Sequence, residues 1–194
     1  MGSPLSPRTM RPADIPAMAP SLTDTLCTQC GLCCDGTLFA DVELGRAEVS
    51  RLEVMGLEIE DTDGGLLSLP CAALKGRRCS IYAHRPKCCR TFECQLLQDA
   101  KLGALTVGHA TERITEAHAQ IQRVRDLLAQ LGERQVRLPL KERCAAALSG
   151  DSGATAEVKR KGAELEAAAG ALDRLIETTF LGRGVPGGGS GTGS

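Results

Sequence analysis

Aromatic side chains are almost missing from this sequence: its 194 residues include no tryptophan, one tyrosine and three phenylalanines, placed at Phe39, Tyr82, Phe92 and Phe180. A large core packed on aromatic rings is therefore excluded, and something else has to hold the chain together. An excess of charge of one sign is missing too. With 23 basic against 24 acidic residues and a net charge of -1, the chain has no global field to draw in nucleic acid or anionic lipid. The aromatic platforms on which unpaired bases stack are absent as well, so no nucleic-acid partner is expected. No apolar run approaches the roughly 18 residues of a membrane span, and no membrane partner is expected. Met1–Pro20 carries five prolines where an export signal would have its apolar stretch. These absences point to a soluble, cytoplasmic protein, of a length that suits one compact domain with appendages or one small domain plus a helical piece.

What the sequence has instead is cysteine, ten in all. Nine lie between Cys27 and Cys94, and Cys144 stands apart. In an exported chain this density would read as a disulfide framework, but the cytoplasm keeps thiols reduced, and metal is the better reading. Cys27, Cys30 and Cys33 follow C-x2-C-x2-C spacing, the knuckle in which successive thiolates and backbone amides curl around one ion or cluster. Cys34 comes directly after. Adjacent side chains diverge along the backbone, so Cys33 and Cys34 are not expected to meet one centre in equivalent geometry; one of them serves a second metal or packs.

The second group is Cys71, Cys79, Cys88, Cys89 and Cys94. Lys75-Gly76 reads as a turn between two short strands, which would bring Cys71 and Cys79 near each other. His84-Arg85-Pro86 then opens a loop or helix that carries Cys88, Cys89 and Cys94. From Cys71 to Arg90 there are six lysines or arginines and no carboxylate. Four thiolates around a divalent ion leave a net charge of -2, and neighbouring cations reduce that cost and lower thiol pKa values. Arg77, Arg78, Arg85 and Arg90 are the candidates for that role.

These residues carry a resemblance. Cys27-Thr28-Gln29-Cys30-Gly31-Leu32-Cys33-Cys34, then Cys71, then Gly76-Arg77-Arg78-Cys79-Ser80-Ile81-Tyr82, then Arg85-Pro86-Lys87-Cys88-Cys89-Arg90-Thr91-Phe92 resembles the CxxCxxCC, or YkgJ-like, cysteine-cluster family over about residues 24 to 98. The resemblance implies a zinc- or iron-chelating domain; a related cluster occurs in flagellin lysine methylases. Carried over residue by residue, it implies Cys27, Cys30, Cys33, Cys34, Cys71, Cys79, Cys89 and Cys94 as metal ligands, with Cys88 as an extra thiol. It identifies no reaction. Eight thiolates can hold two zinc ions, a four-iron iron-sulfur cluster with spare ligands, or a bridged site. The usual bacterial iron-sulfur continuation, a fourth cysteine three residues on followed by proline, is absent.

Other candidates are weaker. His84 lies inside the cluster region, but a lone histidine among thiols is more often a surface or supporting group. His109 and His118 fall in a predicted helix. The acidic stretch from Asp41 to Asp63 is read as solvent-facing, with a short helix over Arg46 to Met55. No Ser-His-Asp set, phosphate-cradling glycine loop or carboxylate dyad marks a metal-free enzyme; catalytic residues stay unassigned. The alternatives to plain chelation are an iron-dependent redox or electron-transfer accessory and a metal-stapled adaptor.

Beyond the cysteines, Ala110, Ile114, Ala117, Ile121, Val124, Leu128 and Leu131 recur at spacings of four and three, the stripe of a helix packed along its length. Gly132 is placed to end it. Val158, Leu165, Ala168, Leu172, Leu175 and Thr179 form a second stripe. The two helices, separated by Pro139 and a turn at Gly150 to Gly153, are read as an antiparallel hairpin, available to a protein partner or for a homodimer. Cys144 reads as a small buried hydrophobe. The expected architecture is α+β: a disordered proline-rich start over residues 1–20, a small irregular cysteine-rich metal-binding module with short strands and a helix over 24–98, an α-helical hairpin over 105–180, and a glycine- and serine-rich flexible tail over 181–194.

Overall fold

Three helices of this chain, including the two longest, begin where a hydroxyl caps them. In the computed structural model, which describes residues 21–60, 62, 64–149 and 155–183, the Ser21 hydroxyl accepts from the Asp24 amide at 3.0 Å and opens α1, Leu22–Cys30. Thr106 accepts from the His109 amide at the start of the longest helix, and Thr155 from the Val158 amide at the start of another; both supply an acceptor to a free N–H of the first turn. The disorder expected over residues 1–20, the turn at Gly150 to Gly153 and the tail beyond residue 183 fall outside the described residues.

After α1, strand β1 (Asp41–Glu43), helix α2 (Arg46–Val54) and strand β2 (Leu66–Ser68) form one small unit. β1 and β2 pair antiparallel with Val42 opposite Leu67. A tighter hairpin follows, β3 (Leu74–Lys75) and β4 (Arg78–Cys79), with Leu74 opposite Cys79. Its turn is Gly76-Arg77, one residue later than the expected Lys75-Gly76, because Lys75 pairs with Arg78 at the end of β3; Gly76 takes φ 63° in open space. A 3-10 turn at Tyr82–His84 leads into α3 (Lys87–Thr91) and α4 (Gln95–Lys101). Three more helices follow among the described residues: α5 (Val107–Gln130), α6 (Leu140–Leu148) and α7 (Ala156–Leu175), the last running into a π-helical turn, Ile176–Phe180. The fold is α+β, as expected, with the strands short and antiparallel.

Two apolar cores result. The larger is helical: Ala110, Ile114, Ala117, Ile121, Val124 and Leu128 of the α5 stripe pack with Leu165, Leu172, Ile176 and Phe180, and with Leu26, Leu32, Leu96 and Leu97 of the cysteine-bearing part. Burying each Leu or Ile contributes about 1.5–3 kcal/mol relative to exposure. The second stripe departs from expectation at its start, where Val158 is exposed; it lies in the first turn of α7, next to the undescribed residues 150–154. Between the two long helices lies a third, α6, where the sequence suggested only a connecting segment. It starts from Pro139, whose fixed φ suits a helix entry, and buries Leu140 and Cys144. The smaller core gathers Leu52 of α2, Leu67 of β2, and Leu44, Leu57 and Ala73 from the connecting segments.

Candidate metal centre

The two cores are flanked by one cavity of about 700 Å³, and all nine cysteines between Cys27 and Cys94 line it. Cys27 and Cys30 project from the last two turns of α1, which stops at Gly31 in the left-handed region, φ 73°. That turn is tight: the Cys34 amide donates to the Gly31 carbonyl at 2.9 Å, presenting Cys33 and Cys34 within one bend. The Cys71 amide donates to the Cys34 carbonyl at 2.8 Å, which pins the second cysteine group to the first. Cys79 is carried on β4, Cys88 and Cys89 on α3, and Cys94 stands immediately before α4. Packing of α1 against α4 brings Cys94 to the α1 wall. Cys144 is buried in the helical core, away from the cavity.

Burial dominates the chemistry of these thiols. It pushes Cys27 up to about 11 and Cys30 and Cys34 up to about 12, and it raises Cys33, Cys71, Cys89 and Cys94 as well. A desolvated thiolate without a cation is unfavourable. Yet backbone amides already face several of these sulfurs and favour the anion: Leu32 toward Cys30, Ala73 and Leu74 toward Cys71, Leu97 and Leu96 toward Cys94. This donor set, many thiols with amides aimed at sulfur, fits a soft or borderline metal cation, which would supply the missing positive charge. Among the described residues, no three cysteine, histidine, aspartate or glutamate side chains are gathered closely enough to hold one ion. The thiols line the cavity wall without gathering at one point.

Basic residues frame the cavity unevenly. Arg85 is the best placed: its guanidinium stacks 3.6 Å from the Tyr82 ring centroid, its Nε donates to the Tyr82 carbonyl at 3.2 Å, and its charge acts on both Cys27 and Cys34. Arg77 and Arg90 also line the cavity. Arg78 does not; it is exposed, because it alternates with Cys79 along β4 and faces the other way. His84 is exposed.

Several contacts at the site carried no signal in the sequence. The Tyr82 hydroxyl donates to Asp24 at 2.6 Å across 58 residues, tying the third motif block to the start of α1. That bond holds the Asp24 carboxyl below its usual range. Phe39 and Phe92 meet edge to face at 5.1 Å between ring centres on the cavity wall. Asp35, next to Cys34, pairs with Arg125 of α5 at 3.2 Å and accepts from the Thr37 amide at 3.0 Å. His118, read as an ordinary helix residue, faces the Cys30 and Gln29 carbonyls; burial and Arg77 outweigh them and hold its pKa below the usual value. Apart from the local bond between Thr37 and Asp35, these contacts join residues far apart in the chain, so no local spacing could announce them.

No curated protein and no solved structure matches the chain. A family model does: residues 26–127, more than half of the chain, match the CxxCxxCC model, described as "Putative zinc- or iron-chelating domain". The matched segment runs from the first knuckle through the whole cysteine cavity and into α5, so the chain belongs to the CxxCxxCC family.

Proposed function

We propose that the protein chelates zinc or iron through Cys27, Cys30, Cys33, Cys34, Cys71, Cys79, Cys89 and Cys94, with Arg85 as the principal counter-charge. The observation that carries this reading is the convergence of nine thiols from five separate stretches of backbone on one cavity. Packing alone does not require that convergence, since Cys144 fills a core position without it. The helical bundle's part is to hold the α1 and α4 walls in register. The α5 stripe, a candidate for a docking seam, is buried inside the chain against α7, α1 and α4.

Metal binding supplies the cation that buried thiolates need and cross-links segments that share little apolar surface. The test is anaerobic purification followed by metal analysis and an absorption spectrum. Stoichiometric zinc in colourless protein identifies a structural centre, and iron with visible bands that bleach on reduction identifies an iron-sulfur or other redox centre. Cys30→Ala is expected to lower metal content, whereas Cys144→Ala is expected to leave it unchanged. Metal-free protein under these conditions, with reconstitution also failing, would refute the proposal.

A further inference from the structure

The cavity is one space, but its walls belong to different cores. Cys27, Cys30 and Cys94 pack against the helical core. Cys71, Cys79 and Cys88 pack against the strand core. Cys34 is tied to the strand side by the bond from the Cys71 amide, and β3–β4 pairing sets Cys79 opposite Leu74, whose own amide donates to the Cys71 carbonyl. Cys33 completes the C-x2-C-x2-C spacing begun by Cys27 and Cys30, and Cys34 is its chain neighbour. Four donors saturate a zinc-type centre.

Resting on the chelating reading above, we propose that the thiols form two separate four-cysteine centres, Cys27, Cys30, Cys33 and Cys94 on the helical wall and Cys34, Cys71, Cys79 and Cys89 on the strand wall, divided at the Cys33–Cys34 peptide. Cys88, with its sulfur 4.0 Å from that of Cys89, lies on the strand side, and exchanging it for Cys89 leaves the division unchanged. Arg85, stacked on Tyr82 beside the cavity that both sets line, is the cation the two centres share.

The probe is cadmium, which takes the same tetrathiolate coordination and is visible by NMR. The full chain, stripped of metal and reloaded anaerobically with cadmium-113, is expected to bind two equivalents and show two resonances of the tetrathiolate type without mutual coupling. Cys30→Ser is expected to shift or remove one resonance and Cys79→Ser the other, each halving the tetrathiolate signal. A metal–metal coupling in the unsubstituted protein would reveal a bridging thiolate and overturn the division. A single equivalent, or one resonance answering to both substitutions, would overturn it too, while leaving chelation intact. Failure to take up any cadmium would instead remove the chelating reading on which the division stands.

Discussion

Gly31→Ala separates two reasons for a glycine in the cysteine knuckle. At φ 73° an alanine pays the left-handed penalty of about 1–2 kcal/mol. Gly31 also meets a neighbour: an added Cβ would lie 3.2 Å from the Arg77 carbonyl oxygen and 3.3 Å from the Arg77 Cα. Both atoms are backbone and cannot swing aside, so the β3–β4 turn has to move away from α1. Overpacking of that kind adds about 1–3 kcal/mol. Gly132→Ala is the control, because Gly132 has φ 82° and nothing within 4 Å of the added Cβ. It should lose only the conformational part, about 1–2 kcal/mol, which at this chain length is a fall in Tm of roughly 2–8 °C. Gly31→Ala should lose about 2–5 kcal/mol in total. It should also weaken metal retention against a competing chelator, since it pushes Arg77 and its hairpin from the α1 wall. Thermal unfolding of the loaded protein and chelator titration measure the two effects. Equal losses in the two variants, with unchanged metal retention, would show that the close approach of Gly31 to Arg77 has no energetic weight.

The remaining expectations concern pH, the helical core and the order of opening. In the metal-free protein the thiols titrate at 9.0 when unfolded, but near 11 at Cys27 and near 12 at Cys30 and Cys34 when folded. Between those values the native state holds more protons, so stability present below pH 9 should fall as pH rises through 11 to 12; a flat stability profile by denaturant titration over that window contradicts the burial. Arg143 and Glu133 form a nearly enclosed pair, with Arg143 Nε donating to Glu133 Oε2 at 2.7 Å. Arg143→Met should cost about 3–5 kcal/mol by leaving a buried carboxylate alone, whereas the Arg143→Met, Glu133→Leu double variant should recover much of that loss in the same unfolding assay. In metal-free protein, amide exchange should be fastest around Leu44, Leu52 and Leu67 of the small core and slowest along α5. Loading with metal should slow the former most, and uniform protection in both forms would count against two cores of unequal strength.

How far the sequence could be read depended on how local each signal was. The helix that carries Cys27 and Cys30 was not announced by their spacing. The β3–β4 hairpin and the α5 stripe follow from spacing over fewer than two dozen residues, and each stands within a residue of where the pattern put it. Cys144 reads correctly for the same reason: it sits in a run of alanines on one short helix, and it is buried. α6 escaped notice because nine residues rich in alanine carry little periodic contrast. The ties between blocks, Tyr82 to Asp24 and Arg125 to Asp35, depend on tertiary placement alone. The merging of Leu26, Leu32, Leu96 and Leu97 with the α5 stripe into one core was equally hidden. A leucine inside a cysteine motif looks like spacing until its neighbour is known.

That merging bears on what the metal does. The helical core has its own long stripe of buried residues and does not need a staple, whereas the strand unit buries four leucines and one alanine, with Val42, Val49, Ile59 and Ile81 only partly covered beside them, to order the chain from β1 through β4. So small an apolar set is below what usually sustains independent folding, and such units are commonly completed by metal. On the proposed division, the two centres are then unequal in consequence: the helical one adds to a core already formed, and the strand one supplies much of the order of its wall. The peptide between Cys33 and Cys34 joins them, so ordering one centre constrains the position of the first donor of the other. Metal binding should for this reason be sequential, the helical wall filling first because its donors are already held by α1 and α4, and the strand wall folding onto the second ion.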